Sequence, residues 1–299
     1  MVSRFTHAYK LHTSTKLKSG AIYGILTFLR RFLLANKATS NITRVVFVID
    51  AGIPEFRFKL YPQYKEKRWL KRKTGNDPFY ITYQNELHTV KENLSHLGVI
   101  VLKVDGFEGD DTICKVVNDL SGHKFVYSND HDMQQLISPS VTACVPTSIK
   151  GVCEDFMTEK DPFYLIRRAI CGDTSDEIKG VPGLGKVRTD ELLQQINETK
   201  LKDFFANTHK SKQHAKLQKG RAIIKRNIKL MSLKWAYKHH TKKAVGQYAA
   251  NQFTMKKFVK LCKRFELKSL RPEVSEFQML LGDMKLTLPH KQYQKLTYL

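Results

Sequence analysis

A chain of 299 residues is long enough to bury a sizeable core, as one large domain or two modest ones. Its 51 Lys and Arg against 28 Asp and Glu give a formal net charge of +23, which favours a polyanionic partner, usually nucleic acid. No run is apolar for long enough to cross a membrane and no secretory signal is expected. The five cysteines, without a CxxC pair, read as reduced thiols of a cytoplasmic protein rather than a disulfide framework or zinc site.

Residues 21–34 carry apolar side chains at intervals of three and four, which predicts an amphipathic helix with one broad buried face. Arg44 to Ile49 is β-branched-rich and predicts a buried strand, with Asp50 at its C-terminal end, where parallel α/β sheets bind ligands. Between residues 54 and 80 aromatic rings alternate with cations, until Gly75 to Pro78 breaks the pattern. This suits phosphate contact with base stacking; a solvated basic face is the alternative. A helix from Tyr83 to Leu97 leads into a strand ending near Asp105.

Glu108, Asp110 and Asp111 then open a helix running to Leu120. One acid there would be an ordinary cap on the positive helix end. Three repel one another, and a divalent ion would remove that repulsion; oxygen-only ligands point to Mg²⁺ or Mn²⁺. A solvated acidic helix start is the alternative. His123 to Ser128 predicts another strand, closed by Asp130 and Asp132, with a helix or turn from Met133. Asp50, the Glu108 group and the Asp130 pair all follow strands, so a parallel sheet would gather them at one edge.

Residues 141–161 read as weaker strand and loop, and Phe163 to Ile170 as a helix. Asp173 and Asp176 follow at a spacing that puts both on one side of a helical turn. Gly180 to Val187 nearly matches the phosphate loop GxxxxGK[ST], but Val187 has no hydroxyl and no strand precedes it. It reads instead as a turn between helices. Gly183 and Gly185 supply the bend, and Lys186 and Arg188 flank a helix N-terminus that could face a phosphate. A plain helix–helix turn is the alternative. Residues 196–299 read as mostly lysine-rich helix, with core-like spacing at Arg226 to Leu233 and Phe253 to Phe265.

Six blocks, in order, resemble the 5′ nuclease family: flap endonucleases, the 5′ nuclease domain of bacterial DNA polymerase I and, above all, the small phage 5′-to-3′ exonucleases. They are Val48-Ile49-Asp50-Ala51-Gly52, Tyr64 to Arg68, Gly106 to Asp111, Ser128 to Asp132, Cys171 to Asp176 and Gly180 to Lys186. The blocks fall within residues 1–195, and the last hundred residues match loosely.

The resemblance implies an α/β fold, a twisted and mostly parallel PIN-like sheet flanked by helices, with a helix–three-turn–helix DNA-binding region. It implies a nuclease domain over 1–155 with a basic arch at about 54–80, and a helical DNA-binding region over 156–299 with the helix–three-turn–helix at about 171–195. It implies two Mg²⁺ or Mn²⁺ ions about 4 Å apart, held by Asp50, Glu108, Asp110, Asp111, Asp130, Asp132, Asp173 and Asp176. Lys65 and Arg68, on one helical face, would reach the scissile phosphate, with Arg4 nearby. Lys67, Lys71, Arg72 and Lys73 of the arch would grip DNA, as would Gly180, Gly183, Gly185, Lys186 and Arg188 of the turn, which in some members also holds K⁺. The implied substrates are 5′ flaps, 5′ ends and branched duplex, with RNA–DNA hybrids a further candidate. The implied setting is a monomer in the cytoplasm, or the host cytoplasm if phage-encoded.

The family also opens with a strand ending in Asp-Gly, whose Asp is a metal ligand. Here the match begins near Met1 to Arg4, so that first strand and ligand are missing; of two explanations, a truncated form and a misassigned start, the expectation is the second, with Met1 an internal residue of a longer chain. A smaller departure is Thr189-Asp190, where the family has small apolar residues. Two rival readings follow: a structure-specific DNA-binding protein without catalysis, and an RNA-cleaving nuclease of related fold.

Overall fold

The apolar stripe of the first helix faces inward as its spacing predicts: Ile22, Ile25, Leu26 and Leu33 of α1 (Gly20–Asn36) are all buried. Each such side chain contributes about 1.5–3 kcal/mol by leaving water. The structure, a computed structural model, describes residues 5, 8–9, 11–38, 40–73, 78–145, 155–194, 212–240, 245–248, 250–288 and 293–296.

Strand β1 (Val46–Val48) follows, then α2 (Glu55–Leu60), α3 (Glu66–Lys73) and α4 (Pro78–Ser95). Strand β2 (Ile100–Lys103) is apolar because Ile100, Val101 and Leu102 are all fully buried. It leads into α5 (Gly109–Asp119), β3 (Lys124–Tyr127), a 3₁₀ turn (His131–Leu136), β4 (Val141–Val145) and β5 (Asp155–Met157).

Next come α6 (Tyr164–Cys171), a short ladder of β6 (Gly172–Asp173) and β7 (Ile178–Lys179), and α7 (Lys186–Gln194). Helices α8 (Lys212–Lys219), α9 (Arg221–Met231) and α10 (Leu233–His240) precede β8 (Val245–Tyr248). Helix α11 (Met255–Arg264), a 3₁₀ turn (Arg271–Glu273), α12 (Val274–Leu281) and β9 (Tyr293–Leu296) complete the described chain.

The parallel pairs β1–β2 and β3–β4 lie in two sheets rather than one, ordered β1-β2-β8-β9 and β3-β4-β5. No strand joins β1 to β3 among the described residues, so each keeps one partner. The final hundred residues are not helical throughout: β8 pairs antiparallel with β2, and β9 extends that sheet. Their helices also share the main core, where Phe253, Phe258, Phe277 and Leu281 pack with α1, α4 and β2. A second core joins α6, α7, α8 and α9 through Ile166, Ile170, Val181, Leu192, Leu217 and Ile224. No helix among the described residues is long and apolar enough to cross a membrane.

Candidate functional site

Four carboxylates meet where the two parallel strand pairs end. Asp50 follows β1, Glu108 and Asp110 stand at the start of α5, and Asp130 follows β3. Asp50 Oδ1 accepts the Gly109 N–H at 2.5 Å, which fixes the end of β1 against the start of α5. Asp130 accepts the Asp132 N–H at 2.8 Å and so caps the 3₁₀ turn. Burial, then the negative charges of Asp130, Asp50 and Glu108, push the Asp110 carboxyl well above the usual carboxylate range. Asp110 has no ion pair among the described residues. Hard oxygen donors crowded until one resists ionising fit a divalent ion, which would remove the repulsion. Among the described residues no three acids already stand at ligand spacing, so binding would draw these side chains together.

Sequence reasoning missed the cation at the centre of this site. Arg57, in α2, is buried and donates to both oxygens of Asp111, at 2.6 and 2.8 Å. It also donates to Glu108 Oε2 at 2.5 Å and to the Leu230 carbonyl at 2.9 Å. Asp111, expected among the metal-binding acids, has both its oxygens facing Arg57 and is buried beneath the start of α5. Tyr64 donates to Glu108 Oε2 at 2.9 Å, and Lys65 Nζ pairs with Glu108 Oε1. Burial opposes the charge on Glu108, but Lys65 and Arg57 outweigh it and hold the carboxyl below its usual range. The Phe56-Arg57-Phe58 alternation was the available signal. A cation between two rings in a short helix is one that packing can bury.

Lys65 and Arg68 were expected on one helical face. Lys65 instead precedes α3, with φ 53° in the left-handed region, and its N–H donates to the Asp176 carbonyl at 3.1 Å. The pair still converges, since Lys65 Nζ and Arg68 lie 3.4 and 3.5 Å from the Asp176 carboxylate. Asp173 and Asp176 do not share a helical turn either. Gly172 takes φ 79°, and the chain folds into the β6–β7 ladder, with Asp173 in β6 and Asp176 in the connecting turn. Asp173 Oδ1 accepts the Ser175 hydroxyl at 2.6 Å and the Ser175 N–H at 2.8 Å.

Arg168 of α6, also missed, spans two acids. One amino group donates to Asp132 Oδ1 and the other to Asp173 Oδ2. Tyr164, one turn earlier, donates to Asp132 Oδ1 at 2.9 Å and accepts from Arg168 at 3.0 Å. Burial raises the Asp173 carboxyl, but Ser175 and Arg168 outweigh it and hold the group below its usual range. In sequence, Arg167 and Arg168 simply fall inside the helix expected from Phe163 to Ile170, and their partners lie in other segments.

The arch cations Lys67, Arg68 and Lys71 are exposed, and Lys67 lies 3.5 Å from Glu177. Arg4, and the side chains of Arg72 and Lys73, lie outside the described residues. In the glycine turn, Gly183 has φ 74° and Arg188 donates to its carbonyl at 3.0 Å. Gly180 packs against the Cys171 carbonyl, whereas Gly185 opens onto free space immediately before α7. Lys186, Val187 and Arg188 are all exposed there. A cavity of about 750 Å³ opens between α6, the start of α7 and the 3₁₀ turn, lined by Gln134, Tyr164, Arg167, Arg168, Lys186 and Asp190.

Comparison with known proteins gives a consistent picture. Residues 1–161 match the family described as 5′-3′ exonuclease, N-terminal resolvase-like domain. A 5′-3′ exonuclease of Mycoplasma pneumoniae is 32% identical over 177 residues, covering 55% of this chain and 57% of that protein. The chain thus spans somewhat over half the length of such curated relatives. In fold it resembles the T5 5′-exonuclease with zinc bound, at TM-score 0.56 and 18% identity over 85% of this chain and 91% of that one. It likewise resembles flap endonuclease-1 from Methanococcus jannaschii, at TM-score 0.54 and 15% identity over 94% and 90%. These likenesses establish the PIN-like α/β nuclease fold.

Proposed function

The chain belongs to the 5′-3′ exonuclease family, and on that footing we infer that it is a metal-dependent 5′ nuclease that hydrolyses DNA phosphodiesters during replication or repair. The observation that carries this reading is the set of four carboxylates at the ends of β1, β2 and β3, with Lys65 beside them. Asp50, Glu108, Asp110 and Asp130 would hold one divalent ion, and Asp132, Asp173 and Asp176 would serve a second. Mg²⁺ or Mn²⁺ at these acids would supply an activated water and charge stabilisation of the leaving oxygen.

The chain's own groups do the rest. Lys65 and Arg68 converge on one spot and would meet the scissile phosphate there, in place of their present carboxylate partners. Arg57 keeps Glu108 oriented, and buried Asp111 keeps Arg57 in place. The exposed arch lysines and the N-terminus of α7, with Lys186 and Arg188, would hold the duplex by its phosphates. Substrates of this kind are 5′ flaps, 5′ ends and branched duplex, with RNA–DNA hybrids as further candidates. The turn is the candidate K⁺ site. The protein would work as a monomer in the cytoplasm.

The test is a labelled 5′ flap incubated with the protein and Mg²⁺, in DNA and RNA versions. The reading expects Mg²⁺-dependent release of 5′ products from DNA, abolished by Asp130→Asn with DNA binding kept. Salt-sensitive binding without product would favour the non-catalytic rival, and preferential cleavage of RNA would favour an RNA nuclease.

A further inference from the structure

Two of the three acids assigned above to a second ion, Asp132 and Asp173, already share one cation. Arg168 binds Asp132 with one amino group and Asp173 with the other, so one guanidinium bridges carboxylates from the 3₁₀ turn and from β6. Resting on the nuclease reading above, we propose that Arg168 competes with a divalent ion for Asp132 and Asp173, so that the second ion loads only as this arginine is displaced.

Three observations support the competition. The bridge is well held: Tyr164 fixes both Asp132 and Arg168, at 2.9 and 3.0 Å, from the preceding turn of α6. Charge-assisted bonds of this kind are among the stronger ones, so an incoming ion must offset their loss. The bridge can also open. The Arg168 side chain keeps 24% of its exposure and lines the cavity beside the glycine turn, which gives a displaced guanidinium somewhere to go. The neighbouring Arg167 is already bonded to Asp161 and Asp190, so it is committed to partners away from Asp132 and Asp173.

The first site differs. Asp110 has no ion pair among the described residues, and the negative charges of Asp130, Asp50 and Glu108 act on it more strongly than the positive charge of Lys65. Of the four acids there only Glu108 is held by cations, Lys65 and Arg57, so a first ion relieves repulsion at Asp110 and meets three carboxylates, Asp50, Asp110 and Asp130, with no ion pair among the described residues. Loading is therefore stepwise, tight at the Asp110 group and weaker at the Arg168 bridge. An arginine offers one positive charge against two carboxylates where a divalent ion offers two, so displacement is a matter of concentration rather than impossible.

The test is Mn²⁺ titration of the DNA-free protein followed by electron paramagnetic resonance, for the unmutated chain, Arg168→Gln and Arg168→Lys. The unmutated chain should bind one ion tightly and a second more weakly. Arg168→Gln should tighten the second by about tenfold or more and leave the first within about twofold. Arg168→Lys, which keeps the charge but loses the bridging fork, should fall between. A measurement on the unmutated chain guards against a variant that folds poorly: the Arg168 guanidinium NMR signals should move with the second equivalent of Mg²⁺ and not the first. Second-ion affinity unchanged in a folded Arg168→Gln, two equally tight ions in the unmutated chain, or an Arg168 signal indifferent to saturating Mg²⁺ would each overturn the proposal. No manganese bound in any of the proteins would overturn the nuclease reading, and this inference with it.

Discussion

The Arg57 guanidinium lies across both carboxylate oxygens of Asp111, at 2.6 and 2.8 Å, where Asp111 has no exposure to solvent. The same guanidinium reaches Glu108 at 2.5 Å and the Leu230 carbonyl at 2.9 Å. One side chain thus ties α2, the start of α5 and the end of α9 together directly beneath the candidate site. The pair orders Glu108 from below, while Lys65 and Tyr64 order it from the side.

Removing one partner of a buried ion pair strands the other. Arg57→Met should therefore cost about 3–5 kcal/mol in chemical denaturation. Adding Asp111→Leu should restore part of that loss, because the stranded carboxylate goes with it. Equal costs for the single and double variants would show that Asp111 does not depend on Arg57 for its charge.

Lys65→Ala removes the ammonium expected to meet the phosphate. Single-turnover cleavage of a 5′ flap should slow by about a hundredfold or more, while DNA affinity changes far less. Lys65→Arg should recover part of the rate. An unchanged rate would remove Lys65 from the reaction.

Three of the four glycines around the ladder and turn, Gly172, Gly183 and Gly185, should respond differently to alanine. Gly172 has φ 79°, and a Cβ there would come within 2.4 Å of the Gly180 nitrogen and the Ile178 carbonyl, both backbone atoms that cannot step aside. Gly183 has φ 74°, but its nearest obstacle is the mobile Lys216 ammonium at 2.7 Å. At Gly185 a Cβ meets nothing within 4 Å. Thermal melts should rank Gly172→Ala as most damaging, Gly183→Ala next at about 1–2 kcal/mol of backbone strain, and Gly185→Ala close to neutral.

Burial pushes the Cys114 thiol up to about 12 and the Cys262 thiol to about 11. Both stay protonated in the fold at pH values where an unfolded thiol has ionised. The folded state then binds more protons, so stability falls as pH rises above the unfolded thiol value of about 8.5. The decline in Tm above that pH should be shallower in Cys114→Ala than in the unmutated protein. In the native protein at pH 8, Cys114 and Cys262 should resist alkylation, and partly exposed Cys171 should react before them.

The ends of strands were readable because the signal is local. A β-branched run followed by an acid placed Asp50, Glu108 and Asp130, and burial of β2 on both faces explains its unbroken apolar sequence. The ion pairs were not readable. Arg57 sits among seven other Lys and Arg residues between positions 54 and 80, and only its packing beside Tyr64 and α9 distinguishes it. Lys65 left the helical register because the chain takes a left-handed residue before α3, which no hydrophobic period records. Asp173 and Asp176 carried helical spacing, but Gly172 turned that segment into a two-stranded ladder. Nothing in the helix from Phe163 to Ile170 marked Arg168, because its two partners come from segments that only the fold brings near.

The central claim is that Asp50, Glu108, Asp110 and Asp130 close around a divalent ion. Crystals soaked in Mn²⁺ and measured at the manganese absorption edge test it most directly. An anomalous peak among these four carboxylates is the predicted result; a well-ordered site with the acids in place and no peak between them would contradict it.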